Sequence, residues 1–225
     1  MTNKIKIIGA LVAMSIYSSA YAEGVQLSRT RILFNDGVTK VSYGLTNHSE
    51  KPILASAIIS NFDGSSSNSF AVSPSLYQVK PKKTHQGQII LLNPLPKDKE
   101  SVFWLTVKTV SPKIEAQGQS SNMEIALAQN IKVFYRPKGL NETCKTGLNH
   151  ISWEMTKGGI KANNAAKVSF SIVNVKDINN KIYKIGDTVL PKTTKEWSVD
   201  HKGLKIASFT YVDEYGNYIE QMIGK

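Results

Sequence analysis

The chain has 225 residues, with 28 Lys+Arg against 17 Asp+Glu, four His and one Cys; 41% are hydrophobic and 20% charged. That balance belongs to a folded protein, and the length suits one large domain or two smaller ones. A single cysteine excludes an internal disulfide, a CxxC redox pair and any multi-cysteine zinc site.

Lys4 and Lys6 precede an apolar stretch, Ile7 to Tyr17, which ends in Ser18-Ser19-Ala20-Tyr21-Ala22. A charged start, a short apolar run and an Ala-x-Ala site form a secretory signal peptide over residues 1–22. The competing reading is an N-terminal membrane anchor. The run falls short of the ~20 residues that span a bilayer, which argues against it. The expected mature chain starts at Glu23 and is exported. Exported proteins seldom meet nucleic acid, and lysines such as Lys80, Lys82, Lys97 and Lys99 are scattered without interleaved aromatics. The basic excess therefore reads as a solvated surface and predicts no nucleic-acid partner.

Beyond residue 22 the pattern is all-β. Strands are expected over Val25–Phe34, Val38–Thr46, Ile53–Ile59, Ser75–Val79, Gln88–Leu92, Val102–Val110 and Met123–Tyr135. Asn35-Asp36-Gly37 marks a turn, Asp63–Ser69 a loop, and Ser111–Asn122 a flexible loop before the longest strand. Arg136-Pro137-Lys138-Gly139 ends this series, which fits an immunoglobulin-like sandwich. A second series includes Ile151–Met155, Lys167–Val175, Lys181–Ile185, Leu204–Val212 and Tyr218–Met222. Two β-sandwiches over residues 23–138 and 139–225, joined by a short hinge, follow.

No catalytic constellation stands out. His48, His85, His150 and His201 lack HxH or HExxH spacing, and neither a GxSxG elbow nor a phosphate-cradling glycine loop is present. Cys144 reads as an inert lone thiol with no assigned role. The expectation is a non-enzyme that needs no cofactor or metal.

One segment conflicts with the usual protection of sheet edges. In Met123-Glu124-Ile125-Ala126-Leu127-Ala128, the larger apolar side chains Met123, Ile125 and Leu127 alternate and share one face of a strand. They either face the sandwich core or form an exposed apolar row. Periodicity alone points to the core; the flexible loop ahead of them raises the alternative of a strand that outreaches its neighbours, and such an edge suits strand addition to a partner.

Four stretches then carry a family resemblance. They are Leu27-Ser28-Arg29-Thr30-Arg31 with Ile32-Leu33-Phe34; Leu95-Pro96-Lys97-Asp98-Lys99-Glu100-Ser101-Val102-Phe103-Trp104; Ile131-Lys132-Val133-Phe134-Tyr135-Arg136-Pro137; and Tyr211-Val212-Asp213-Glu214-Tyr215-Gly216. In this order they resemble the PapD-like periplasmic chaperones of the chaperone–usher pilus pathway, cited in general accounts of sandwiches and donor-strand complementation.

The resemblance implies two immunoglobulin-like domains in an L-shaped arrangement, and a periplasmic chaperone that caps pilus subunits with its G1 strand and delivers them to an outer-membrane usher. It implies that Arg31 and Lys132 hold the subunit's C-terminal carboxylate and that Met123, Ile125 and Leu127 fill the subunit's open groove. Glu100, Arg136 and either Asp213 or Glu214 would form the buried charge set that fixes the angle between domains. The loop Ser111–Asn122, short and without flanking cysteines, resembles the short-loop subclass. Thr106 and Ser111 depart from the family's usual Asn and Pro. Whether the free protein self-associates through its G1 edge is left open by the sequence. The rivals are a secreted two-domain adhesin or pilus structural subunit, which would be expected to carry an N-terminal donor extension ahead of Leu27, and an exported β-sandwich hydrolase or carbohydrate-binding enzyme.

Overall fold

The structure, a computed structural model, describes residues 24–35, 37–110, 126–200 and 205–223. The expected signal peptide, the loop from Ser111 to Asn122, Met123 and Ile125 lie outside the described residues.

The first half forms β1 (Val25–Leu27), β2 (Arg31–Asn35), β3 (Lys40–Asn47), β4 (Ile53–Asn61), β5 (Phe70–Ser73), β6 (Leu76–Val79), β7 (Thr84–Leu91), β8 (Ser101–Val110) and β9 (Ala126–Arg136). They make a four-stranded sheet in the order β1-β3-β7-β5 and a five-stranded sheet in the order β2-β9-β8-β4-β6. Period-two alternation builds the core between them. In β8, Phe103, Leu105 and Val107 point inward, and in β9, Ile131, Val133 and Tyr135 meet them. Gly87 lets its cross-strand partner Tyr43 lay its ring over β7, because a Cβ there would stand 2.4 Å from that ring.

The single strand expected over Val25–Phe34 is two. β1 pairs with β3, and Ser28 stays tied to that sheet through Ser28 N to Gly44 O (2.9 Å) and Gly44 N to Ser28 Oγ (2.8 Å). The chain then crosses to the other sheet, where β2 runs parallel to β9 in the register Arg31↔Lys132 to Asn35↔Arg136. β2 and β3, on either side of the Asn35-Asp36-Gly37 turn signal, consequently belong to different sheets. β5, short and apolar for only three residues, carried too little periodicity to stand out.

The second half opens with α1 (Cys144–Gly147), capped by Thr143, and a 3-10 turn at Leu148–His150. Then come β10 (Ile151–Met155), β11 (Gly159–Asn164), β12 (Phe170–Asp177), β13 (Ile182–Val189), β14 (Thr193–Ser198), β15 (Ile206–Val212) and β16 (Tyr218–Met222). The sheets are β10-β11-β14 and β13-β12-β15-β16, closed over Ile160, Val168, Phe170, Ile172, Val189, Phe209 and Tyr211. β14 reads Thr-Thr-Lys-Glu-Trp-Ser, with one apolar side chain, so only its pairing with β11 reveals it.

Each half buries one asparagine completely. Asn47 Nδ2 donates to the carbonyls of Lys51, Val79 and Lys80, and Asn164 Nδ2 to those of Val168, Val189 and Leu190. A buried amide satisfied in this way pins a strand end to the loops around it.

Candidate functional site

The site is built where β2 and β9 meet the second sandwich. Parallel pairing makes Arg31 and Lys132 direct neighbours, both half-buried. Arg31 Nη1 donates to the carbonyls of Val212 (3.1 Å) and Asp213 (2.5 Å), and its guanidinium lies 5.5 Å from the centre of the Phe134 ring. Lys132 Nζ reaches Ser171 Oγ at 3.3 Å and lies 5.5 Å from the centre of the Trp104 ring. Neither cation forms an ion pair with a carboxylate among the described residues. Burial lowers the affinity of both for their protons. For Lys132, burial first and repulsion from Arg31 second bring the ammonium down to about 8. Two adjacent cations without an acid partner form a site suited to an incoming carboxylate.

Behind them runs a buried charge chain between the halves. Glu100, 2% exposed, accepts from Arg136 Nε (3.1 Å) and Nη2 (2.7 Å) with one oxygen, and from the Ser169 N–H (2.9 Å) with the other. Its own N–H donates to the Lys167 carbonyl at 2.8 Å. Arg136 Nη1 continues to Glu214 Oε1 at 3.1 Å, which also accepts the Cys144 N–H at 2.7 Å. Burial acts to lower the Arg136 pKa, but Glu100 and Glu214 outweigh it and hold the guanidinium above its ordinary value. Asp213 stays out of this chain. Its carboxylate closes the turn by accepting from the backbone N–H groups of Tyr215 and Asn217 and from Asn217 Nδ2 (2.9, 2.8 and 3.0 Å).

Cys144 is buried, donates to the Ser169 carbonyl at 3.6 Å, and has its thiol pKa pushed up by burial and by Glu214 and Glu100. With Arg31, Phe134, Arg136, Ser169 and Glu214 it lines a tight crevice of about 10 Å³ between the halves. No group of His, Cys, Asp and Glu able to hold a metal ion occurs among the described residues. No helix among them is long and apolar enough to cross a membrane.

Leu127 is 50% exposed and belongs to a strand with one open side. β8 covers β9 from Ala126 to Tyr135, whereas β2 covers only Lys132 to Arg136. Among the described residues, the edge of β9 away from β8 therefore has no strand paired to it from residue 126 to 131. Sequence reasoning missed Trp104 and Phe134 as seats for the two cations, although both stand in the stretches that carry the resemblance. It also missed Ser169 and Ser171, because a serine on a strand resembles a solvent-facing one until a second domain covers it.

The family profile for "Pili and flagellar-assembly chaperone, PapD N-terminal domain" matches residues 24–141. The chain belongs to this family of non-enzymatic pilus chaperones. A chaperone protein FocC of Escherichia coli is 25% identical over 223 residues, 97% of this chain and 96% of its own length. A probable fimbrial chaperone LpfB of Escherichia coli O157:H7 is 29% identical over 163 residues, covering 72% of this chain and 70% of its own. Among solved structures, the Escherichia coli chaperone DraB superposes with a TM-score of 0.79 at 20% identity, covering 90% of this chain and 96% of that one. The SafA pilin–SafB chaperone complex of Salmonella enterica gives 0.76 at 20% identity, covering 91% and 99%. The fold is that of the two-domain pilus chaperones.

Proposed function

We propose that the protein is a periplasmic, ATP-independent chaperone that captures pilus subunits by lending them β9 and hands them to an outer-membrane usher. The observation that carries this reading is the open edge of β9 running into the Arg31–Lys132 pair. Main-chain groups along the edge would pair with a subunit strand, and Met123, Ile125 and Leu127 would fill its groove. Each apolar side chain buried would contribute roughly 1.5–3 kcal/mol. Arg31 and Lys132 would bind the subunit's terminal carboxylate, with charged hydrogen bonds of roughly 1.5–3 kcal/mol each. The Glu100–Arg136–Glu214 chain would hold the second domain so that the cleft keeps its shape, a role buried ion pairs fill better than that of stabiliser. In this scheme residues 1–22 are the export signal, 23–138 the donor domain and 139–225 the second domain.

The test is a pull-down from periplasm co-expressing the neighbouring secreted genes, with wild type beside an Arg31→Ala/Lys132→Ala double variant. A one-to-one complex with a small subunit, formed by wild type alone, supports the reading. Equal capture by the folded double variant removes the anchor, and capture by neither removes the chaperone mechanism.

A further inference from the structure

We infer that Trp104 is a positioning residue for Lys132, its indole face seating the ammonium in place of an acid partner so that no carboxylate of the protein claims the protons the ligand needs. The inference rests on the reading of Lys132 as an anchor and adds a residue to that site.

A flexible lysine that must meet a carboxylate at one place has to be held there beforehand. An aspartate or glutamate beside it would hold it, but would compete with the ligand for the same protons. An aromatic face attracts the cation through its quadrupole without accepting a conventional hydrogen bond. Trp104 is the direct cross-strand partner of Lys132, and the ring centre lies 5.5 Å from Nζ. The ring is itself fixed, stacked on Phe62 (centroids 5.5 Å apart, planes at 13°) with its Nε1–H on the Phe62 carbonyl at 3.2 Å. Arg31 has a matching seat on Phe134, so both cations of the pair rest on rings.

The other charged groups that face Lys132 are Arg31 on β2, Asp187 on β13 and Lys195 on β14. Asp187 is already engaged by Lys195 Nζ (2.6 Å) and Trp197 Nε1 (3.0 Å). The ammonium has therefore lost water and faces two cations, while the acid near it is occupied. Asp187 favours its charged form from a distance, and the indole and the Ser171 hydroxyl are the groups that meet the ammonium directly.

Two readouts separate positioning from mere packing. The first follows the titration of Lys132 by NMR of ε-13C-lysine in wild type, Trp104→Phe, Trp104→Leu and protein carrying fluorinated tryptophan, which weakens the quadrupole and keeps the shape. The midpoint should fall by about 0.5–1 pH unit in Trp104→Leu and in the fluorinated protein, and largely recover in Trp104→Phe. An unchanged midpoint in the folded fluorinated protein overturns the inference even where Trp104→Leu fails to fold. The second measures binding of an alternating Val/Thr peptide with a free C-terminal carboxylate, and of its C-terminal amide. Trp104→Leu should weaken the acid peptide about 3- to 10-fold and leave the amide unchanged. If Lys132→Ala and wild type bind acid and amide alike, the anchor reading itself fails. If Lys132→Ala loses the acid peptide while Trp104→Leu binds it as wild type does, only the role of Trp104 falls.

Discussion

Replacing Glu100 with Ala removes the acid on which the junction between the two halves turns. The carboxylate accepts two hydrogen bonds from Arg136 and one from the Ser169 N–H. Hydrogen bonds to a charged group contribute roughly 1.5–3 kcal/mol each, an upper sum of about 4.5–9 kcal/mol. Against this stands the cost of holding a nearly dry carboxylate, several kcal/mol in its own right. The variant also strands the Ser169 N–H and leaves Arg136 with Glu214 alone, so the net loss should be about 3–5 kcal/mol, the usual result of removing one partner from a buried pair. Both cores, around Leu105 and around Phe170, stay intact. The loss should therefore fall on the coupling between halves. Urea unfolding followed by near-UV signals from Trp104 in one half and Trp153 and Trp197 in the other should change from one shared transition to two. A single transition within ~1 kcal/mol of wild type would refute the argument that this acid joins the halves.

Three further outcomes follow from the geometry. Leu127→Asp should leave the urea midpoint within about 0.5 kcal/mol of wild type, as for an exposed position, yet abolish subunit capture in the pull-down; full capture would remove Leu127 from the donor row. Lys132→Met should make the free protein more stable at pH 7 by about 1–2 kcal/mol, a value reduced for the partial exposure of the side chain. The sign follows from a folded-state pKa of about 8, below the ordinary lysine value: from there up to ~10.4 the unfolded chain binds the extra proton, so wild-type stability rises with pH and the advantage of Met fades. Equal stability of the two at pH 7 would contradict it. Asn164→Ala should lower stability by about 2–3 kcal/mol, because three carbonyls, two of them buried, lose their donor at once, and a thermal melt displaced by less than a degree would be inconsistent with that network.

Much of this was legible in the sequence, for identifiable reasons. β8 and β9 could be read because alternating Phe103, Leu105, Val107 and Ile131, Val133, Tyr135 each carry a strong two-residue period. Arg31, Lys132 and Glu100 could be named because they sit inside contiguous motifs. The break between β1 and β2 could not, since Val25 to Phe34 is strand-forming throughout and only tertiary pairing decides where the chain changes sheets. The choice between Asp213 and Glu214 was equally hidden. Neighbouring acids point in different directions, and the turn that engages Asp213 is visible only once Asn217 folds back onto it. The seats under the two cations escaped notice because Trp104 is adjacent to Lys132 across strands, not along the chain.

The change of sheet after Ser28 acts as a ruler for the molecule. Pairing with β2 begins at Lys132, so the residue at which the chain crosses fixes both the last position that is covered and the first that is bare. Crossing two residues earlier would shelter about 6.6 Å more of β9 and shorten the reach available to a partner. Crossing two residues later would leave Lys132 without Arg31 beside it. A shift by a single residue would be worse, because strand parity would turn the opposite set of side chains outward. Insertions in other loops can be absorbed at the surface, but between Leu27 and Arg31 the length of the chain sets how much of β9 the sheet covers.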